Sequence, residues 1–228
     1  MIAIIDYGMG NLKSVVNAFN AIGEPARITN QAEEIRKASA IVLPGVGAFE
    51  DGMKNLRKLG ILPLLEEEIL EKKKPYFGIC LGMQFLAQES REGGERSHEG
   101  GGHAGFGWIP GAVVQIQPSE KKYKVPHMGW NDLRMEKESI LYAGLPEAPV
   151  FYFVHSFHLE RTEENKEFIT ASCSHGAVIT ASIQKGNIFG VQFHPEKSQK
   201  AGLDLLKNFA AVARAYAEKT PDPRLNLT

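Results

Sequence analysis

The feature that most constrains this chain is the stretch Tyr76-Phe-Gly-Ile-Cys80-Leu-Gly-Met-Gln84. A short apolar run ends in a cysteine, and a helical pattern begins at once. Gly78 and Gly82 stand two positions to either side of Cys80. A strand that turns directly into a helix strains the residue at the turn and crowds its neighbours, so glycine suits both flanking positions. Such an elbow lifts its central side chain above the end of a sheet. It also sets a thiol at a helix N-terminus, where the dipole favours the thiolate. The same residues fit a buried structural cysteine behind a parallel strand, because cysteine is among the most buried residue types. The second cysteine, Cys173, lies in a strand pattern without flanking glycines and reads as structural.

The surrounding pattern supplies a sheet for the elbow. Apolar runs at 2–6, 26–29, 40–43 and 76–79 alternate with amphipathic stretches at 11–22, 49–58, 61–74 and 82–90. Strands alternating with helices imply right-handed crossovers and a parallel sheet covered on both faces. From Gly105 to Val191 helical periodicity fades. Strands are expected at 113–117, 130–135, 150–155, 168–174, 177–184 and 188–193, several joined by short turns such as Lys185-Gly186-Asn187, as in antiparallel hairpins. A final amphipathic helix is expected over 201–217. The expected fold class is therefore α/β, with a mainly parallel central sheet, helices on both faces and antiparallel strands in the second half. Residues 1–218 read as a single domain and 219–228, with two prolines, as a frayed tail. The glycine-rich stretch from Gly93 to Gly107 reads as a mobile loop.

Composition excludes several classes. Among 228 residues, 26 are Lys or Arg and 27 are Asp or Glu, and 43% are hydrophobic. That is too apolar and too near neutral for a disordered chain, and it lacks the cationic excess expected of a nucleic-acid partner. Two cysteines make no disulfide framework. No run approaches the roughly 20 apolar residues of a membrane span, and the start has no secretory pattern, so no membrane association and a cytoplasmic location are expected. No metal is expected either. His98 and His103 have no cysteines near them, and His155 and His158, three apart in a strand pattern, face opposite ways. Gly8-Met-Gly10 and Gly45-Val-Gly47 resemble dinucleotide fingerprints, but Lys13 and Glu50 stand where the third glycine belongs. No cofactor is expected.

A cysteine nucleophile needs a base, and the base needs an orienting group. Phe193-His194-Pro195-Glu196 follows the last predicted strand. Proline biases His194 toward an extended backbone, in which residues two apart point the same way, so Glu196 can hold the imidazole. An ordinary polar loop after a strand explains the same residues. Leu43-Pro-Gly-Val-Gly47-Ala-Phe49 joins a strand to a helix, and its backbone N–H groups can be aimed at an oxyanion. The Leu81 N–H, just after the nucleophile, would be the second donor. A plain strand-to-helix turn is the other reading of that loop.

Together, Pro-Gly-Val-Gly, Gly-Ile-Cys-Leu-Gly-Met-Gln and a late His-Pro-Glu, in that order, resemble the triad-type class I glutamine amidotransferases, over nearly the whole chain from Asp6 to about Phe209. Asp6-Tyr-Gly-Met-Gly-Asn-Leu-Lys-Ser14, Pro126-His-Met-Gly-Trp-Asn131, Tyr152-Phe-Val-His-Ser156 and Val191-Gln-Phe-His-Pro-Glu-Lys197-Ser resemble one branch of that family, whose members supply ammonia for histidine synthesis. The resemblance implies that Cys80 attacks the side-chain amide of glutamine, His194 shuttles the proton, Glu196 orients His194, and the Gly47 and Leu81 N–H groups hold the oxyanion. It implies glutamine binding by Gln84, Glu92 and the segment containing His155, Ser156 and Phe157. It also implies a heterodimer with a separate cyclase subunit of (β/α)8 barrel fold, which uses the ammonia to make imidazole glycerol phosphate and aminoimidazole carboxamide ribonucleotide. Asn11, Met128, Trp130 and Lys197 match family positions at that interface. For Trp130, a core aromatic in an antiparallel strand is the competing explanation. The loop from Gly93 to Gly107 is longer than the family's usual link.

Three other functions share some of these residues. A glutaminase of the same fold can serve another acceptor, in pyridoxal phosphate or purine synthesis, but Pro126 to Asn131 argues against it. A cysteine peptidase or deglycase of related architecture would not need Gln84 and Glu92. A binding module free of catalysis would not need Cys80, His194 and Glu196 together.

Overall fold

The computed structural model describes residues 1–93 and 102–220. His98 and the tail from 221 onward lie outside the described residues. The chain begins with β1 (Ile2–Ile5), α1 (Leu12–Ala21), β2 (Ala26–Thr29), α2 (Ala32–Lys37), β3 (Ala40–Gly45), α3 (Phe49–Leu59), α4 (Leu62–Glu66) and β4 (Tyr76–Cys80). It continues through α5 (Leu81–Gln84), β5 (Ala87–Ser90), β6 (His103–Ala104), β7 (Ile109–Gln115), β8 (His127–Asp132), β9 (Arg134–Met135), β10 (Val150–His155) and β11 (Phe157–Leu159). The last elements are β12 (Ile169–Ser174), β13 (Val178–Lys185), β14 (Ile188–Val191) and α6 (Gln199–Lys219).

Eight strands form the main sheet, in the order β2-β1-β3-β4-β14-β13-β12-β9. The pairs from β2 to β14 are parallel and the three beyond β14 are antiparallel. The parallel strands are apolar along their whole length because both faces are covered. Their side chains alternate between two cores. Ile2, Ile4, Val42, Phe77 and Val191 pack with Val15 and Phe19 of α1 and Leu206 and Phe209 of α6. Ile5, Ile41, Leu43 and Tyr76 pack on the other face with Phe49, Met53 and Leu56 of α3 and Leu65 of α4. Phe77 stacks on Phe209 at 4.9 Å between ring centroids.

The structure departs from the sequence expectation in several places, among them three that involve helices. The helix expected over 82–90 stops at Gln84, and residues 87–90 become β5, which pairs with β6 and with β7 in a four-stranded sheet of order β11-β7-β5-β6. Partners distant in sequence outweigh local helical spacing there. The helix expected over 61–74 is α4 followed by a π-helical turn, Glu67–Glu71. The helix α2, too short to show a clear period, was not expected. A separate antiparallel ribbon of β8 and β10 pairs Trp130 with Tyr152.

Candidate active site

The elbow forms as its glycines require. Cys80 has φ +53° and ψ −106°, a strained conformation for an L-residue. A Cβ on Gly82 would overlap the Leu43 carbonyl oxygen, and one on Gly78 would overlap the Gly82 carbonyl. Each glycine therefore lets backbone approach backbone at the turn.

Strand pairing then surrounds the sulfur. On one side β3 pairs with β4 so that Gly45 lies abreast of Cys80. On the other, β14 pairs with β4 from Ile188 beside Tyr76 to Val191 beside Ile79. The next residue, Gln192, falls beside Cys80, and its Nε2 donates to Sγ at 3.5 Å. Two residues on, His194 has extended backbone, as expected, but Pro195–Lys197 form a 3-10 turn. The turn brings Glu196 Oε1 to 2.7 Å from His194 Nδ1, with side-chain exposures of 2% and 3%. Strand β10 anchors the histidine, since the His194 N–H donates to the Tyr152 carbonyl at 2.9 Å and Phe151 stacks on Phe193.

Burial by itself would lower the pKa of the His194 imidazole. Hydrogen bonding and charge from Cys80 and Glu196 outweigh burial and raise it to about 10. Its Nε2 makes no hydrogen bond of regular geometry, nor does Glu196 Oε2. A ring held by Glu196 at Nδ1 and coupled to Cys80 is the arrangement a proton shuttle needs.

A cleft of about 360 Å³ opens over the elbow, lined by Val46, Gly47, Cys80, Leu81, Gln84, Glu92, Pro126, Val154, His155, Ser156 and Phe157. It thus collects Cys80, both expected oxyanion residues and all five expected substrate-binding residues. His194 is not among the residues that line it. Gly47, in the expected oxyanion loop, has φ +96°, a conformation glycine adopts freely. The Glu92 carboxylate accepts from the Phe49 N–H at 2.6 Å, where α3 begins.

Gln84 and His155 are largely committed within the protein. Gln84 Nε2 donates to the Phe157 carbonyl at 2.9 Å and to Gln192 Oε1 at 3.0 Å, which leaves only its own carbonyl for a ligand. His155 Nδ1 lies 2.9 Å from the Phe157 carbonyl, which can only accept, so Nδ1 carries the proton. Its Nε2 then accepts from His127 Nδ1 at 3.0 Å, and His127 Nε2 from Asn131 at 3.2 Å. Burial, the larger cause, lowers His155 to about 3 and His127 to about 4, so both rings are neutral. His155 therefore offers a ligand its ring edge and backbone rather than a charge.

The four expected interface residues are exposed. Met128 and Trp130 project from β8 with 61% and 49% of their surface free, so the core explanation for Trp130 does not hold. Asn11 caps α1 by accepting from the Ser14 N–H, and Lys197 Nζ lies 5.9 Å from the Tyr152 ring centroid. Gln192, Tyr7 and His127 were not anticipated at the site. Gln192 lies inside the Val191-to-Lys197 stretch that carried the resemblance, but nothing in that stretch indicates which way its amide points. Among the described residues no helix is long and apolar enough to cross a membrane.

Residues 3–213 match the family model for class-I glutamine amidotransferases. The imidazole glycerol phosphate synthase subunit HisH 1 of Campylobacter jejuni (strain 81-176) is 47% identical over 93% of this chain and all of its own length. The HisH subunit of Moorella thermoacetica is 45% identical over 93% of this chain and 95% of its own. Among solved structures, a glutamine amidotransferase superposes with a TM-score of 0.69 at 19% identity, over 94% of this chain and all of that one. PurLQS from Thermotoga maritima gives 0.67 at 17% identity, over 92% of this chain and 97% of that one. At those identities the structures speak for the fold alone.

Proposed function

The chain belongs to the class-I glutamine amidotransferases, and from that premise we propose that it is the glutaminase subunit of an imidazole glycerol phosphate synthase, releasing ammonia from glutamine for histidine biosynthesis. The observation that carries the reading is the strand register that sets the Pro44–Gly47 loop on one side of Cys80 and the His194–Glu196 pair on the other, beneath a cleft shaped for a small polar substrate. The identity of 45–47% to HisH subunits favours this acceptor over others served by the same fold.

In this reading Cys80 and His194 share one proton, which rests on the imidazole, and Sγ attacks the side-chain amide carbon of glutamine. The C–S bond forms, and negative charge gathers on the amide oxygen, where the Gly47 and Leu81 N–H groups receive it. As the C–N bond breaks, His194 passes the proton to the leaving nitrogen, and ammonia departs. Water, deprotonated by His194, then cleaves the thioester to glutamate and restores the thiol. Glu196 keeps the imidazole aimed throughout. The Glu92 carboxylate and the Gln84 carbonyl suit the α-ammonium of the substrate, and the neutral segment from His155 to Phe157 suits its α-carboxylate.

Ammonia protonates in bulk water and loses its nucleophilicity, so it must pass to its acceptor by a sheltered route. The acceptor would be a separate cyclase subunit of (β/α)8 barrel fold, docked over Asn11, Met128, Trp130 and Lys197. The chain without that partner is expected to be a poor glutaminase. The test is to assemble the chain with a barrel cyclase and follow turnover. Glutamine should support the reaction in the complex, and Cys80→Ala should abolish glutamine-dependent turnover while ammonium salts still feed the cyclase. Surviving glutamine hydrolysis in Cys80→Ala would overturn the nucleophile assignment.

A further inference from the structure

We propose that Gln192 holds the reacting sulfur, through a side-chain amide that donates to Cys80 Sγ in an orientation that Gln84 prevents from flipping. The proposal rests on the reading in which Cys80 is the nucleophile, and adds a group to it.

Gln192 is fully buried, with no exposed surface. A buried amide needs partners within the protein for its oxygen and its nitrogen. Its Oε1 accepts from Gln84 Nε2 at 3.0 Å, and its Nε2 donates to Cys80 Sγ at 3.5 Å. The reverse orientation would set its NH2 against the NH2 of Gln84, donor to donor. Gln84 cannot turn in its place, because its Nε2 also donates to the Phe157 carbonyl, which can only accept. The chain from Phe157 through Gln84 and Gln192 to the sulfur therefore runs in one direction, anchored at a backbone carbonyl.

An N–H donor aimed at sulfur favours the thiolate over the thiol, because bonds to a charged acceptor are the stronger ones. Cys80 acts on two titratable groups, His194 and Tyr7, and raises the pKa of each. His194 exchanges a proton with the sulfur; Gln192 cannot, so it steadies the anion without competing for that proton. It also keeps Sγ against β14 and so in reach of the cleft. Gln84, whose carbonyl is free for a ligand, links occupancy of the cleft to the same chain.

The test is the alkylation of the full chain by iodoacetamide from about pH 6 to pH 10, with peptide mapping of Cys80 and Cys173. Near pH 7, Cys80 in Gln192→Met should react about tenfold more slowly than in the wild type, as expected for loss of one bond to a charged group. Gln192→Glu, which turns an acceptor toward the sulfur, should be slower still. Cys173, whose thiol burial pushes up to about 12, is the internal gauge of folding and should stay inert. If Cys173 opens in the Gln192 variants, Gln84→Leu applies the same test with Gln192 in place but free to turn, and it too should slow Cys80. Rates equal to wild type in a variant that keeps Cys173 closed overturn the proposal. Failure of the underlying reading looks different: Cys80→Ala would then still hydrolyse glutamine.

Discussion

Glu196 meets His194 Nδ1 at 2.7 Å with both side chains sealed from water, and this pair gives the fold a pH dependence of definite sign. An unfolded histidine titrates near 6.5. In the folded chain, where Cys80 and Glu196 outweigh burial, His194 is raised to about 10. Below about pH 6.5 both states hold the proton, and the pair's stabilisation is whole. As pH rises from there toward 10, the unfolded chain gives up its proton and the folded chain keeps it, so stability falls; above about 10 the contribution is gone. Urea midpoints measured across that range should decline more steeply in the wild type than in Glu196→Gln. Parallel slopes would refute the coupling.

Gly82 admits no side chain, because a Cβ there would occupy the position of the Leu43 carbonyl oxygen. Gly82→Ala should cost about 3 kcal/mol of stability, the upper range for overpacking. It should also displace Cys80, so glutamine turnover should fall even in the fraction that remains folded. A Gly82→Ala protein with wild-type denaturation midpoint and turnover would show that the turn is looser than its geometry.

Tyr7 places its hydroxyl beneath Gly45 and beside Leu81, buried and without a hydrogen-bond partner. Burial, with the nearby Cys80, pushes its pKa up, so the phenol stays neutral. An unpaired buried hydroxyl is a net cost. Tyr7→Phe should stabilise the chain by about 1 kcal/mol and raise Tm by roughly 2–4 °C. A lower Tm in Tyr7→Phe would mean that the hydroxyl finds an acceptor in solution.

Lys74 is 2% exposed and distributes its three donors to the Ile35 and Arg36 carbonyls and to Glu68, itself 1% exposed. Glu68 Oε1 keeps its contacts with Lys72 and Arg36, so removing Lys74 strands Glu68 Oε2 and the two carbonyls rather than a whole unpaired charge. Lys74→Met should lose about 1–3 kcal/mol in chemical denaturation. Adding Glu68→Leu should recover part of that loss. A double variant less stable than Lys74→Met would contradict this account.

Much of the site is legible in the chain because its signals are local. The glycines around Cys80 announce a strained turn, and His194 and Glu196 stand close in sequence, although a 3-10 turn rather than an extended chain brings the carboxylate to the ring. The parallel core was readable because β1, β3 and β4 are apolar at nearly every position, as burial on both faces demands. The helix expected through Ser90 failed because residues 87–90 pair with β6 and β7, which no local period encodes. The commitment of both His155 nitrogens was equally hidden, since His127 lies 28 residues away.

The chain alone therefore marked a candidate thiol at a bend and a later imidazole with a carboxylate two residues on, since backbone preference and side-chain spacing act over a few residues. Only the folded sheet decided what lies beside the sulfur. The parallel register of β4 with β14 brings in Gln192 from 112 residues away and the register with β3 brings in Gly45. A shift of one residue in either pairing would put a different group there, because register is set by packing across the whole sheet.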